Sequence, residues 1–154
     1  MSAGKALSPA EHVSRASDHA VVGTALHEAA AAPWAEAPHF YSAYHLVKAA
    51  LATDPIFGDP GRLVAVTAHL AMGDQFATCH QGYMKSQGGG LVRVWGVNDL
   101  AAALYQPAWP FYSQLHEASC DIRYGLGLRV PLDKLAHALK SLRADFDGSR
   151  LVAP

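Results

Sequence analysis

What this chain lacks narrows it first. Cysteine is scarce: only Cys79 and Cys120 occur in 154 residues, and neither sits in a CxxC pair. A disulfide framework is excluded, and two reduced, buried thiols are expected. Charge is scarce too, at 16% of residues with a net of -1. That balance argues against a nucleic-acid coat or a membrane-surface protein, which needs a broad basic field. Half of the Lys and Arg lie after residue 120, Arg129 among them, but Asp121, Asp133, Asp145 and Asp147 dilute them. No apolar run reaches the roughly 20 residues that cross a bilayer; the nearest, residues 63–72, contains His69. Residues 1–5 have no apolar signal-peptide core, so a soluble, cytoplasmic protein is expected. Phosphate-loop, dinucleotide, zinc-protease and nucleophile-elbow motifs are all missing. Gly88-Gly89-Gly90 lacks the lysine or helix start that would make it a phosphate cradle.

What is present is an apolar share of 51%, ample for one packed domain over residues 1–154. Ser8-Pro9-Ala10-Glu11 is a helix start with a capping box, and the first helix is expected to reach about Ala31. Pro33 and Pro38 punctuate the next connection. A second helix over 37–53 stops at Asp54-Pro55, because the residue before proline disfavours helical angles. Asp59-Pro60 starts a third, with Leu63, Val66, Leu70, Gly73 and Ala77 at helical spacing as far as Tyr83. Residues 86–110 read as a Gly-rich excursion, with strand-like alternation over 91–97 and a short helix over 99–105. A fourth helix runs from Pro110 to Tyr124, stopped by Gly125 and Gly127. Leu132, Leu135, Leu139, Leu142 and Phe146 mark a last one. The expected fold is all-α: an up-and-down bundle of four to five helices with a hairpin-like arm.

Two of these helices carry the same polar stripe. Tyr41, His45 and Lys48 share one face, because positions four and seven apart nearly superimpose. Tyr112, His116, Ser119 and Arg123 do the same. If both helices pack by their apolar stripes, two Tyr-His-basic edges meet at one groove. A neutral imidazole there can take a proton from a ribose hydroxyl, a cation can hold phosphate, and tyrosines can stack on bases. Arg62 and His69 would share a face of the third helix. Glu117 and Asp121 read as surface acids or partners of Arg123. The nine histidines show no converging set of three or four, so no metal and no cofactor are expected. His12 and His19 lie two turns apart, His39 and His45 on different faces, and Cys79 and His80 diverge.

The run from Phe40 through Tyr41, Tyr44, His45 and Lys48 to Leu51 resembles the Tyr/Ala-rich second helix of HEPN domains (higher eukaryotes and prokaryotes nucleotide-binding). The spacing on to Thr67-Ala68-His69, the segment ending Arg123-Tyr124-Gly125 and the amphipathic helix over 132–146 fit the same family. The resemblance covers about residues 10–147. It implies a helical bundle, often a homodimer, working on RNA or nucleotides. It also implies a place in toxin–antitoxin or defence systems beside a nucleotidyltransferase-type partner. Ribonuclease members carry Arg, four to six residues, then His. Arg123 has no such His after it, and Arg62 to His69 has the spacing in the third helix. The resemblance therefore favours a binding or partner-engaging member, with Tyr41, Lys48, His69, Tyr112 and Tyr124 as ligand contacts. A metal-independent ribonuclease using His45, His116 and Arg123 is the alternative. The other is an assembly module docking through the arm at residues 88–97, with Trp95 as anchor.

Overall fold

The structure is a computed structural model, and it describes residues 6–29, 31–125 and 131–154. The chain is mostly helical, with six α-helices and one two-stranded antiparallel hairpin among the described residues. None of these helices is long and apolar enough to cross a membrane.

Helix α1 spans Pro9–Glu28. Its start is the expected capping box: the Ser8 amide donates to Glu11 Oε2 at 2.6 Å and the Glu11 amide to Ser8 Oγ at 3.3 Å. A 3-10 turn over Ala32–Ala35 leads into α2, Glu36–Thr53. This helix is the centre of the molecule, with Phe40, Leu46 and Leu51 fully enclosed. Burial on most of its faces is what an apolar-all-round helix requires. Helix α1 runs antiparallel along it. Ser42 Oγ donates to Ala16 O at 2.7 Å, and Gly23 lets the His39 ring press against α1. A Cβ at Gly23 would stand 2.3 Å from His39 Cδ2.

Asp54 ends α2 and ties three segments together. Its carboxylate accepts from the Ile56 amide at 3.0 Å, the Tyr105 hydroxyl at 3.1 Å and the Ala153 amide at 2.8 Å.

Helix α3, Pro60–Val66, is far shorter than the spacing suggested. Thr67 turns extended, and polar side chains then satisfy the following amides: Ala71 N–H donates to Asp74 Oδ2 and Gly73 N–H to Gln75 Oε1, both at 2.7 Å. Such local bonds compete with the helical ladder, and Gly73 sits at φ 101°. Arg62 and His69 therefore share no helical face. Arg62 instead donates to the carbonyls of Ala153 and Pro154.

The excursion is a hairpin, but it begins earlier than expected. Strand β1 is Tyr83–Gln87 and β2 is Gly90–Val94, paired Tyr83 to Val94 through Gln87 to Gly90. Gly88 and Gly89 form the two-residue turn, both at positive φ, as a primed turn demands. Asp99 clamps the base, accepting from the amides of Gly82 at 2.5 Å and Gly96 at 3.2 Å and pairing with Arg93 at 2.9 Å. Trp95 is no free anchor: it packs on the core, and its indole donates to His69 O at 2.9 Å.

Helix α4 is Val97–Leu104 and α5 is Trp109–Tyr124. Gly125, at φ 63°, stops α5 as expected; Gly127 and Arg129 lie outside the described residues. Helix α6, Leu132–Asp147, turns Leu135, Ala138 and Leu142 into the core, with Leu139 and Phe146 at its margin. Residues 1–5 also lie outside the described residues.

Candidate functional site

Helix α2 presents one continuous band of rings. His45 meets α1: its Nδ1 is 2.8 Å from His12 Nδ1, and its ring stacks on His19 at 5.5 Å. Tyr44 stacks on His80 with centroids 4.6 Å apart. Phe40 touches His80 at 5.5 Å and His116 at 5.0 Å. Tyr41 meets His19 on one side and His80 on the other. The segment carrying His80 is held by the start of α4, where the amides of Val97 and Asn98 donate to the carbonyls of Cys79 and His80.

The stripes of α2 and α5 thus lie on packed helices, but their imidazoles take different neighbours. His45 turns to α1 and opens on a cavity of about 290 Å³ with His12, Tyr44 and Lys48. His116 turns to α4 and lines a cavity of about 310 Å³ with Asn98, Trp109 and Glu117. His80 lies between them. Its pKa is lowered by burial, then by Arg123 and Lys48.

Burial lowers the pKa of every imidazole in the band. That of His45 falls to about 4 through burial and the nearby His12, His19, Arg15 and Lys48. His116 is lowered by burial, His80 and Arg123. These rings are neutral at pH 7. The tautomer of His116 follows from its partners. Tyr112 OH donates to Asn98 Oδ1 at 2.8 Å, leaving Asn98 Nδ2–H to donate to His116 Nε2 at 3.1 Å. The His116 proton is therefore on Nδ1. Cys120 Sγ also lies 3.5 Å from Nε2. Thiol and amide thus share one nitrogen, which is not the relay of a nucleophilic triad.

Among the described residues the two cations have no carboxylate partner. Lys48 Nζ donates to Ala77 O at 2.9 Å and lies 5.9 Å from the Tyr44 ring; burial lowers its pKa. Arg123 donates to Ser119 O and Oγ at 2.9 and 3.0 Å. Its guanidinium lies 6.0 Å from the Tyr41 centroid and 5.6 Å from that of Tyr124. Among the described residues neither Lys48 nor Arg123 is in an ion pair. The pKa of buried Glu36, at the start of α2, is raised by burial and then by Asp121. Glu117 is exposed.

Other expected contacts fall elsewhere. Tyr112 is 1% exposed, so its ring offers no surface to a base. Ser119 is fully buried. His69 is exposed, and no ring or side-chain bond joins it to the band. Tyr124 is exposed and Tyr41 half-buried. Both cysteines are half-buried, not enclosed. Cys79 contacts Trp95 O while His80 faces Tyr44, so the two do diverge.

Sequence reasoning missed His12, His19 and His80. The seven-residue spacing of His12 and His19 was the available signal, since it places both on the α1 face that meets His45. His80 sits in a loop without periodicity and carried none. Among the described residues no group of three or more His, Cys, Asp or Glu side chains could hold a metal ion. No family model matches the chain, and no curated protein or solved structure matches it.

Proposed function

We propose that this chain is a HEPN-like helical domain, of up-and-down bundle type, that binds a nucleotide or single-stranded RNA along the ring-lined face of α2. One observation carries the reading. Among the described residues Lys48 and Arg123 are in no ion pair, and each lies beside one of the two tyrosines, Tyr44 and Tyr41, whose rings contact His80. Stacking faces between phosphate-seeking cations suit single strands, where bases lie on aromatic rings and the backbone follows positive charge. Arg123, His80, Tyr41, Tyr44, Lys48 and Tyr124 are the proposed contacts. Homodimerisation, and a nucleotidyltransferase-type partner in a toxin–antitoxin setting, belong to the same reading. The test is a titration with a short oligoribonucleotide. Wild type binds it and gains melting temperature through ligand linkage; Arg123→Met loses most of that gain. No gain in wild type overturns the proposal.

A metal-independent ribonuclease is the second reading. It is favoured by His80, a neutral imidazole stacked on Tyr44 and feeling the charge of Arg123, with His116 as a second ring whose Nε2 already accepts from Asn98. A neutral ring can take the proton of a ribose hydroxyl while a guanidinium neutralises the phosphate. RNA cleavage in chelator that His80→Ala or His116→Ala abolishes supports it. Cleavage surviving both substitutions removes it.

A further inference from the structure

The cavity beside Lys48 differs from the open floor between Tyr41 and Arg123. Four segments wall it, Ala6 and Leu7 standing ahead of α1. His12 comes from α1, Tyr44, His45 and Lys48 from α2, and Gln75 and Thr78 from the segment before the hairpin. Its volume is about 290 Å³. A liquid water molecule takes roughly 30 Å³, so the cavity has room for a polyatomic group.

The polar chemistry of its wall is that of donors. Lys48 spends one N–H on Ala77 O, which leaves two. Gln75 Oε1 is taken by the Gly73 amide, so its NH2 is the free end. Thr78 adds a hydroxyl. Among the described residues no carboxylate lines the cavity. Two imidazoles more than nine-tenths buried complete it, His12 at 5% and His45 at 8% exposure. Their facing Nδ1 atoms share one proton, which leaves one Nε2 as a donor and the other as an acceptor able to take a proton. Glu11, Arg15 and His19 from α1 and Lys48 from α2 act on this pair. The set is mainly cationic, so a second proton is disfavoured until an anion enters.

A phosphate monoester carries nearly two charges and three terminal oxygens. A diester inside a strand carries one charge, and its chain must both enter and leave. A cavity lined by a lysine, an amide, a hydroxyl and two imidazoles suits the first. We infer that this cavity holds the terminal phosphate monoester of a nucleotide or strand, with Lys48, Gln75 and Thr78 donating to its oxygens. The remaining chain leaves over Tyr44 and His80 towards Arg123. The inference rests on the nucleotide or RNA reading above and adds that the ligand's end is recognised.

The experiment compares three forms of one short oligoribonucleotide by fluorescence anisotropy: 5′-phosphate, 3′-phosphate, and hydroxyls at both ends. One phosphorylated form is expected to bind at least tenfold tighter than the hydroxyl form, and which one it is fixes the end recognised. Thr78→Val and Gln75→Leu each cut that ratio at least threefold and leave hydroxyl-form affinity unchanged. Arg123→Met weakens all three forms alike. Equal affinity for the three forms in wild type overturns the end-reading and leaves the groove standing. Binding of no form removes both. A phosphate preference that survives Thr78→Val, Gln75→Leu and Lys48→Met, each checked for native melting, places it elsewhere and overturns the assignment.

Discussion

The α6 end of the molecule and the ring-lined face of α2 treat charge in opposite ways. At the α6 end cations find carboxylates: Arg143 pairs with Asp147 at 3.1 Å and Arg150 with Asp145 at 2.8 Å. Nearby, Asp54 spends its oxygens on Ile56, Tyr105 and Ala153. On the α2 face, Lys48 and Arg123 bond only carbonyls, a hydroxyl and sulfur, with neutral imidazoles between them. From the first arrangement folding requires the buried Asp54 bonds, because a buried polar group without a partner costs about 1–3 kcal/mol, and gains at most about 1 kcal/mol from the exposed arginine pairs. It does not require the second. Cations left without counter-charge beside aromatic faces are what an anionic ligand needs, and that contrast is the physical basis of the proposed function.

The contrast can be broken in four ways, taken from the largest expected effect to the smallest. Acid should undo the ring-lined face first. His12, His19, His39, His45, His80 and His116 all have lowered pKa values in the folded chain. The unfolded chain therefore binds more protons below its ordinary imidazole value, and stability falls as pH drops from 6.5 towards 4. His45, moving from 6.5 to about 4, accounts for on the order of 3 kcal/mol by itself at about 1.36 kcal/mol per unit. Urea denaturation at stepped pH should show the loss, and His45→Gln should flatten it. A profile level down to pH 4.5 would contradict the burial of these rings.

Asp54→Ala is next. It strands the Tyr105 hydroxyl and the Ala153 amide, both buried, at a cost of about 3 kcal/mol. The denaturation midpoint should fall while RNA affinity, measured well below the melting temperature, stays unchanged. Lys48→Met and Arg123→Met should do the reverse. Each weakens RNA binding about tenfold, and each lowers the salt dependence of binding by about one phosphate contact. Their melting temperatures should hold, since neither cation supports an ion pair. Smallest of all, Arg143→Met and Arg150→Met remove exposed pairs worth at most about 1 kcal/mol and should leave binding untouched.

Much of the helical frame was legible in the sequence, because caps and prolines act locally. Ser8 with Glu11, Asp54-Pro55, Asp59-Pro60 and Gly125 all mark real boundaries. The third helix misled, since apolar residues continue at helical spacing to Ala77 while Thr67, Asp74 and Gln75 divert the backbone. That loss of register separated Arg62 from His69. Strand β1 was overlooked because Tyr83–Gln87 is exposed along its length and pairs through a partner, not through a burial pattern. At the site, helical spacing set Tyr41, His45 and Lys48 on one stripe, and His116 with Arg123 on another. It did not say that Tyr112 would turn inward to Asn98, nor that a loop would lay His80 over Tyr44. Those outcomes depend on what α4 packs against, which local sequence does not encode.

The central claim is that Lys48 and Arg123 are left unpaired for a phosphate-bearing ligand. The most direct measurement is calorimetric titration of one oligoribonucleotide into wild type, Lys48→Met/Arg123→Met and Arg143→Met/Arg150→Met at matched salt. The account predicts that the first pair of substitutions removes nearly all affinity, while the second, equal in charge removed, leaves it within a factor of two of wild type. Equal losses from both pairs would mean that only net charge matters, and would contradict it.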